Sequence, residues 1–400
     1  MASRGEINKK EIQPILSEKW DVIPFVSSIE NIGTFPKVKT SDCFDEGTYP
    51  VVDQSEKDIT GYINNEELLY KGDLPIIIFG DHTRNIKYVD FPFAAGADGT
   101  KILHTTSILD SKFFYYYLKS LQIPNLGYSR HYSILKQLDV PVPSLNEQKQ
   151  IAEKLDKLFA QIETIKEASN KIPELLKNFR QQVLTYAVTG KLTNSDFAHW
   201  EKSTIGAIGK VKGGKRLPKG EELVNYNTGY PYIRARDLKE GTVLKQNIMY
   251  LLPETQEKIK NYIVKTNDVY ITIVGAKIGD AGIIPESMNN ANLTENAAKI
   301  TDLSEKIMPQ YLSLWLQAPL CQSEIQQSIK SAAQGKLALT RINSLSVCFP
   351  PIESQKEIID KVEYLLGELK IIESKFYQLQ NILEKLPQAL LCKAFKGELL

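Results

Sequence analysis

Little in this sequence is suited to bond-breaking chemistry. Four hundred residues contain four histidines, and only His82, His104 and His131 fall within the first 143 residues. The four cysteines, Cys43, Cys321, Cys348 and Cys392, form no C-x-x-C pair, which argues against a zinc ribbon or a disulfide framework and for reduced thiols. No G-x-G-x-x-G follows a strand pattern, and there is no Walker lysine loop, no H-E-x-x-H and no Asn-Pro-Pro-aromatic motif. The first ten residues lack a signal-peptide core, and the strongest apolar run, Leu74 to Phe79, has strand length, so a cytoplasmic protein is expected. Charge excludes little: 49 Lys and Arg stand against 48 Asp and Glu, too balanced for a general polyanion binder. No cofactor or metal is expected.

What the chain does have is a long repeat. Laying Val140 on Val347 matches Pro143 with Pro350, Gln148-Lys149 with Gln355-Lys356 and Ile151 with Ile358, and the same offset lays Ala187-Val-Thr-Gly190-Lys-Leu192 on Ala394-Phe-Lys-Gly397-Glu-Leu399. Each copy reads as a helix with a heptad-like seam: Ile151, Leu155, Leu158, Ile162 and Ile165 in the first, Ile358, Val362, Leu365, Leu369 and Ile372 in the second. Ser144, three residues before Glu147, has the capping-box pattern, and Gly190 and Gly397 sit where a C-terminal cap belongs. Glu147 to Ala187 would make a helix roughly 60 Å long. Pro173 and Pro387 interrupt the patterns, so a kink or break is expected near each.

Each helix follows a globular segment, giving segments 1–143, 144–192, 193–350 and 351–400. The expected fold is α+β: two β-rich heads at opposite ends of an antiparallel pair of coiled-coil helices, with approximate two-fold symmetry. The heads echo one another. Trp200 answers Trp20, Tyr230-Pro-Tyr-Ile answers Tyr49-Pro-Val-Val, Asp268 to Gly275 answers Asp73 to Gly80, and Tyr311-Leu-Ser-Leu-Trp answers the run from Tyr115. Apolar and turn positions match while polar loops differ, as in two binders that read different things. The first head carries 15 Lys and Arg against 19 Asp and Glu, and the second the reverse, 19 against 15.

The candidate contact residues lie in those loops. In the first head they are Asp81, His82, Thr83, Arg84, Lys87, Lys101, Tyr128 and Arg130. In the second they are Lys212, Lys215, Arg216 and Lys219 in a glycine-containing basic stretch, with Arg234, Arg236, Lys277, Asn296, Lys299, Gln334 and Lys336. Arginine forks and amides can pair with guanine or adenine edges, and lysines with phosphates. Arg234 and Arg236 are expected to share one face of an extended segment. Asp81-His82-Thr83-Arg84 is the most hydrolase-like fragment, but consecutive loop residues do not form a triad.

Head, long helix, head, long helix, with Pro-Val-Pro-Ser-Leu-Asn-Glu-Gln-Lys-Gln-Ile opening the first helix (from Pro141) and Ala-Phe-Lys-Gly-Glu-Leu closing the second (from Ala394), closely resembles the DNA specificity subunit of type I restriction-modification systems. The resemblance implies two target recognition domains, each reading one half of a bipartite asymmetric sequence in double-stranded DNA, with the helices setting the gap. It further implies docking of two methyltransferase subunits carrying S-adenosylmethionine and two ATP-dependent restriction subunits, this chain being non-catalytic. A scaffold rod with protein- or carbohydrate-binding heads explains the neutral charge equally well but not the unlike polar loops. A nuclease with one acidic site per head lacks a repeated acidic cluster.

Overall fold

The computed structural model describes residues 8–97, 99–127, 130–193, 196–330 and 335–400. The chain packs as two compact units, the first made of Met1–Asn170 and Tyr377–Leu400, the second of Lys171–Phe376. Both mix strands and helices, and among the described residues no helix is long and apolar enough to cross a membrane.

The first unit is tied off by an antiparallel pair in which Asp21–Pro24 lies against Asp139–Val142, Asp21 opposite Val142. Inside that frame the run Ile76–Gly80 is buried at every position, as a continuous apolar strand requires. It pairs antiparallel with Ile86–Val89 on one side and Thr100–Leu103 on the other. A second sheet places Tyr49–Val52 between Gly61–Ile63, antiparallel, and Ala94–Gly96, parallel. The helix Ser111–Ser120 is capped by Asp110, whose carboxylate accepts from the amides of Lys112 and Phe113 at 3.0 and 2.9 Å.

The second unit repeats this plan on its own residues. Glu201–Thr204 lies against Ser346–Phe349, Glu201 opposite Phe349. Val269–Thr272 pairs with Ala281–Ile283 and Ala297–Thr301, and a fourth strand, Lys210–Gly213, extends the sheet. Pro231–Ile233 again sits between an antiparallel and a parallel neighbour, Met249–Tyr250 and Asn292–Leu293. Trp20 meets Phe113 edge-on with ring centroids 6.3 Å apart, and Trp200 meets Tyr311 in the same way at 6.3 Å. Tyr117 donates to the carbonyl of Asp139, and Trp315 to that of Ser346. These contacts pair Tyr311 with Phe113 and not with Tyr115, two residues away from the match suggested by sequence, because aromatic runs align equally well in several registers.

One side chain fixes each head to its helix. Gln148 is fully buried; its carbonyl accepts from the amide of Asp110 (2.7 Å), and its amide donates to the carbonyls of Ile108 (2.9 Å) and Pro143 (2.8 Å). Gln355, also fully buried, accepts from Met308 (2.8 Å) and donates to Lys306 and Pro350 (2.8 Å each). Three backbone groups that end a strand or begin a helix are thereby satisfied without water.

The helices differ from expectation in two places. Ser144 caps Leu145–Ser169 by accepting from Glu147 N–H at 3.3 Å, but the Glu147 carboxylate does not complete a capping box; it accepts from the Trp20 indole at 3.1 Å. The first long helix breaks at Asn170–Lys171 and resumes as Ile172–Ala187, placing Pro173 in the first turn, where its missing N–H costs nothing. At Pro387 there is no such break: Ile352–Phe395 is assigned as one helix of 44 residues with the proline inside. Flanking residues hold it there, with Gln388 donating to the Ser120 carbonyl at 2.9 Å and Leu391, Ala394 and Phe395 buried in the first unit's core. Gly190 and Gly397 both take φ +77°, the left-handed conformation of a C-terminal cap. Within the second unit, Arg180 approaches Glu373 (3.7 Å) and Lys361 donates to the carbonyl of Leu192 (3.4 Å).

Replacing Gln148 or Gln355 by alanine strands three buried backbone groups, so each variant should lose roughly 2–4 kcal/mol of stability. Urea unfolding of the full chain measures this. A change below about 0.5 kcal/mol, the scale of an inconsequential surface substitution, would show that the amide is dispensable.

Candidate nucleic-acid interface

In the first unit, the loop after strand Ile76–Gly80 is organised by Gln54. Its carboxamide oxygen accepts from the His82 amide (3.0 Å), and its backbone carbonyl accepts from Thr83 Oγ1 (2.5 Å) and Asn85 Nδ2 (2.9 Å). Gln54 was not foreseen, and nothing in its sequence surroundings marks it. Asp81 is buried (3% exposed) and serves as a hub: its carboxylate accepts from the Tyr132 amide at 2.8 Å and lies 3.9 Å from Lys101, while its carbonyl accepts from the His131 amide at 2.8 Å. His82 is half-buried and Thr83 exposed. Arg84 takes φ +65°, and its guanidinium donates to the Ile123 carbonyl at 2.9 Å, so part of its fork is already engaged.

Lys87 faces inward. It is 8% exposed, donates to the Lys57 carbonyl and lies 3.9 Å from Asp53. Burial depresses its pKa, although Asp53 and Asp58 work the other way. Burial alone would raise the pKa of Asp53, but hydrogen bonds from Ser55 and Thr60, with Lys87 nearby, pull it below the ordinary value. Lys101 is partly exposed, its ammonium 5.7 Å from the Tyr132 ring centroid, and Arg130 is exposed. Tyr128 lies outside the described residues, as does Gln334 of the other unit.

In the second unit the basic stretch is anchored at its root. The amides of Gly214 and Lys215 donate to the carbonyls of Ala297 (3.0 Å) and Leu293 (2.8 Å), and the Tyr232 hydroxyl donates to the Lys215 carbonyl (2.8 Å). Gly214 is obligatory here, since a Cβ would stand 2.0 Å from the Thr294 carbonyl oxygen. Lys212, Lys215, Arg216 and Lys219 are all exposed. The Lys215 ammonium sits 5.5 Å from the Tyr262 ring centroid, and Arg216 Nε donates to Glu295 at 2.7 Å. That hydrogen bond raises the pKa of Arg216; Glu295, which burial would raise, is lowered by it together with bonds from its own backbone and Thr294. A groove of about 360 Å³ beside the stretch is lined by Lys212, Lys299, Asn261 and Tyr262 among others. Asn261 and Tyr262 were not anticipated; the run Lys258-Ile-Lys-Asn-Tyr262, basic with an aromatic, was their signal.

One expectation needs correction, and three other cations and acids are engaged inside the protein. Arg234 and Arg236 do not share a face, because Ala235–Asp237 forms a 3-10 turn: Arg234 grips Asp237 with two bonds of 2.8 Å and donates to the Asn247 carbonyl, while Arg236 alone is exposed. Lys299, opposite Lys212 in the strand ladder, is committed to buried Asp268 at 2.8 Å. Asp81 and Lys87, as described above, are likewise engaged internally. Of the remaining positions, Lys277 is exposed 3.9 Å from Asp280, Lys336 is exposed, and Asn296 is half-buried with its carbonyl accepting from Ile273 N–H at 2.8 Å. Among the described residues no group of three or more His, Cys, Asp or Glu could hold a metal ion.

Two anchored loops, carrying exposed cations and amides on duplicated scaffolds, invite comparison with known proteins. Residues 18–174 and 198–381 match the family described as Type I restriction modification DNA specificity domain, once per head, over most of the chain. The chain belongs to that family. Among curated relatives of this specificity-domain protein is the specificity subunit of type I restriction enzyme EcoBI from Escherichia coli, 32% identical over 268 residues, covering 60% of this chain and 54% of the relative. The chain spans about half the length of the curated relatives it matches. Two solved structures share the fold at 14% identity. One, from work on complex assembly and conformational transition of the type I R-M system, aligns with 96% of this chain and 99% of its own at a TM-score of 0.69. The other, the HsdS subunit from Thermoanaerobacter tengcongensis, aligns with 96% and 98% at 0.62.

The ladder lysines are separable by stability. Lys299→Ala leaves Asp268 buried and unpaired and should cost on the order of 3 kcal/mol, whereas Lys212→Ala should stay within about 0.5 kcal/mol. Urea unfolding followed by tryptophan fluorescence decides it; equal effects would contradict the division between internal and surface cations.

Proposed function

We propose that this chain is the non-catalytic DNA specificity subunit of a cytoplasmic type I restriction-modification complex, reading a bipartite asymmetric sequence in double-stranded DNA. The observation that carries it is the two-fold match to the specificity-domain family, one match on each β-rich head. Residues 1–143 and 193–350 serve as target recognition domains, and 144–192 and 351–400 as spacer helices. The helices run as an antiparallel coiled coil with a recognition domain at each end, related by an approximate two-fold. Within the second unit, the contacts Arg180 with Glu373 and Leu192 with Lys361 favour this sense, since one chain index rises as the other falls.

The named relatives are subunits of type I restriction enzymes, which supports assembly of this chain with two methyltransferase subunits carrying S-adenosylmethionine and two ATP-dependent restriction subunits. DNA contact is assigned to the residues that remain outward, Thr83, Lys101 and Arg130 in the first head, and Lys212, Lys215, Arg216, Lys219, Arg236, Lys277 and Lys336 in the second, with the unengaged part of the half-buried Arg84 fork beside the first set. Phosphate contacts set position, and a few base-edge contacts, each worth roughly 1–3 kcal/mol, discriminate sequence.

Co-expression with the methyltransferase subunit of its own system, followed by mapping of methylated genomic positions, should return one bipartite motif with a fixed gap; a stable complex yielding no motif would overturn the reading. Seven residues inserted in register into both helices should widen the preferred gap and leave the half-sites unchanged. Lys215→Ala with Arg216→Ala should weaken binding and lower the salt slope by about 2. An unchanged slope would remove that stretch from the interface.

A further inference from the structure

The glutamine clips and tryptophan contacts set a residue-by-residue correspondence between the units, and it exposes one place where they differ in shape. In unit 1 the junction between the head helix Ser111–Ser120 and the long helix is filled. Tyr115 packs against Tyr88 at 5.8 Å between centroids, Tyr116 stacks on Phe159 at 5.4 Å, and Lys112 pairs with Asp156 at 3.4 Å. The corresponding residues of unit 2 are smaller: Ser313 stands for Tyr115, Leu366 for Phe159 and Gln310 for Lys112. There the junction is an open cleft of about 290 Å³, lined by Gln310, Ser313, Gln317, Glu363, Leu366 and Gly367 among others. That is room for a large side chain.

Two further observations say what enters. Gly367 lies inside Ile352–Phe395, and a Cβ built on it would meet nothing within 4 Å. Glycine is unfavourable in a helix interior, and no internal neighbour requires it here. Its effect is to let something from outside approach the helix. Glu363 occupies the position of Asp156, but among the described residues it has no ion-pair partner, since the lysine of unit 1 is replaced by Gln310. Arg180, on the rim, is turned to Glu373. Tyr364 and Ile371, 68% and 50% exposed, lie on the same helical stripe as Gly367 and leave apolar surface beside it. Glu240 and Glu363 share the lining with Arg180 and Lys370, so the cleft offers no excess of positive charge to a phosphate backbone, and exposed apolar side chains beside a concave centre are the pattern of a protein contact.

We propose that this cleft is a docking socket in which a protein partner inserts an aromatic side chain flanked by a lysine or arginine, the cation facing Glu363. The template is Tyr115 with Lys112, which the chain supplies for itself in unit 1. The proposal rests on the reading that the chain assembles with methyltransferase subunits, and it makes the two docking places unequal: flat in unit 1, socketed in unit 2.

The test co-expresses the full chain with that methyltransferase subunit and counts subunits by native mass spectrometry. The wild type should bind two. Gly367→Leu, which adds helix propensity and fills the socket, should retain the fold by circular dichroism yet keep only one, with the second site weakened about tenfold or more. Ser313→Tyr should do the same, and Glu363→Lys should reproduce the loss without filling any space. Two subunits on all three variants, with unchanged affinity, would overturn the socket while leaving the assembly reading intact; no complex with the wild type would instead overturn the assembly reading. A dimer of this chain alone that Gly367→Leu disrupts would assign the cleft to a second copy and also overturn the proposal.

Discussion

A fully buried carboxamide at each helix start is the constraint on which both units depend. Gln148 and Gln355 each join the end of a closing strand, the turn before a head helix and the first turn of a long helix through three hydrogen bonds. Such a clip tolerates no slippage. Moving the helix by one residue would rotate the side chain by about 100° and leave three buried backbone groups without partners. This explains why the repeat is ungapped at its N-terminal end while the heads differ freely in loop length. It also explains the redirected capping box: with the helix start fixed by Gln148, Glu147 is available to satisfy the Trp20 indole, coupling the first strand to the same turn.

On this common frame the two heads have diverged in surface charge. Glu30 faces His104 at 3.1 Å in the first unit; at the matching place in the second, Lys210 faces Asp302 at 3.1 Å, so a base replaces the acid at one position and an acid replaces the histidine at the other. The flanking backbone bonds, Thr106 to Ser28 and Ser304 to Ile208, correspond as well. An exchange of this kind preserves the local pairing while changing what the adjoining surface attracts, so a scaffold can be kept and its reading altered.

The helices, their caps and the main strands were legible because each is written in short-range signals: a heptad seam, Ser144 before Glu147, glycines at the ends, and the unbroken run from Ile76 to Gly80. The break at Asn170 was legible as Pro173, but the continuity through Pro387 was not, since it depends on Gln388 and Phe395 reaching residues far away in sequence. The cations show the same limit. Lys87, Arg234 and Lys299 looked like their exposed neighbours because a lysine or arginine carries no local mark of its partner. Asp53 lies 34 residues from Lys87 and Asp268 lies 31 from Lys299; the first pair is brought together from two different sheets, the second by the ladder that sets Tyr270 opposite Lys299. Asp237, three residues from Arg234, was readable, had the segment been taken as a turn.

Position in a ladder therefore separates the two kinds of cation better than local basicity does. Lys299 lies on a strand hydrogen-bonded on both sides, where a charged side chain must be paired to be tolerated, and Asp268 provides for it. Lys212 lies directly across from it on the outermost strand, where like charges face one another at a cost unless solvent or an anion intervenes. With Asp268 already committed, Lys212 makes no close ion pair among the described residues and stands at the mouth of a groove that also holds Tyr262 and Asn261. Net charge near zero is thus compatible with a cationic reading surface: pairs such as Arg234 with Asp237 and Lys299 with Asp268 cancel inside the protein, and the exposed loops carry what is left.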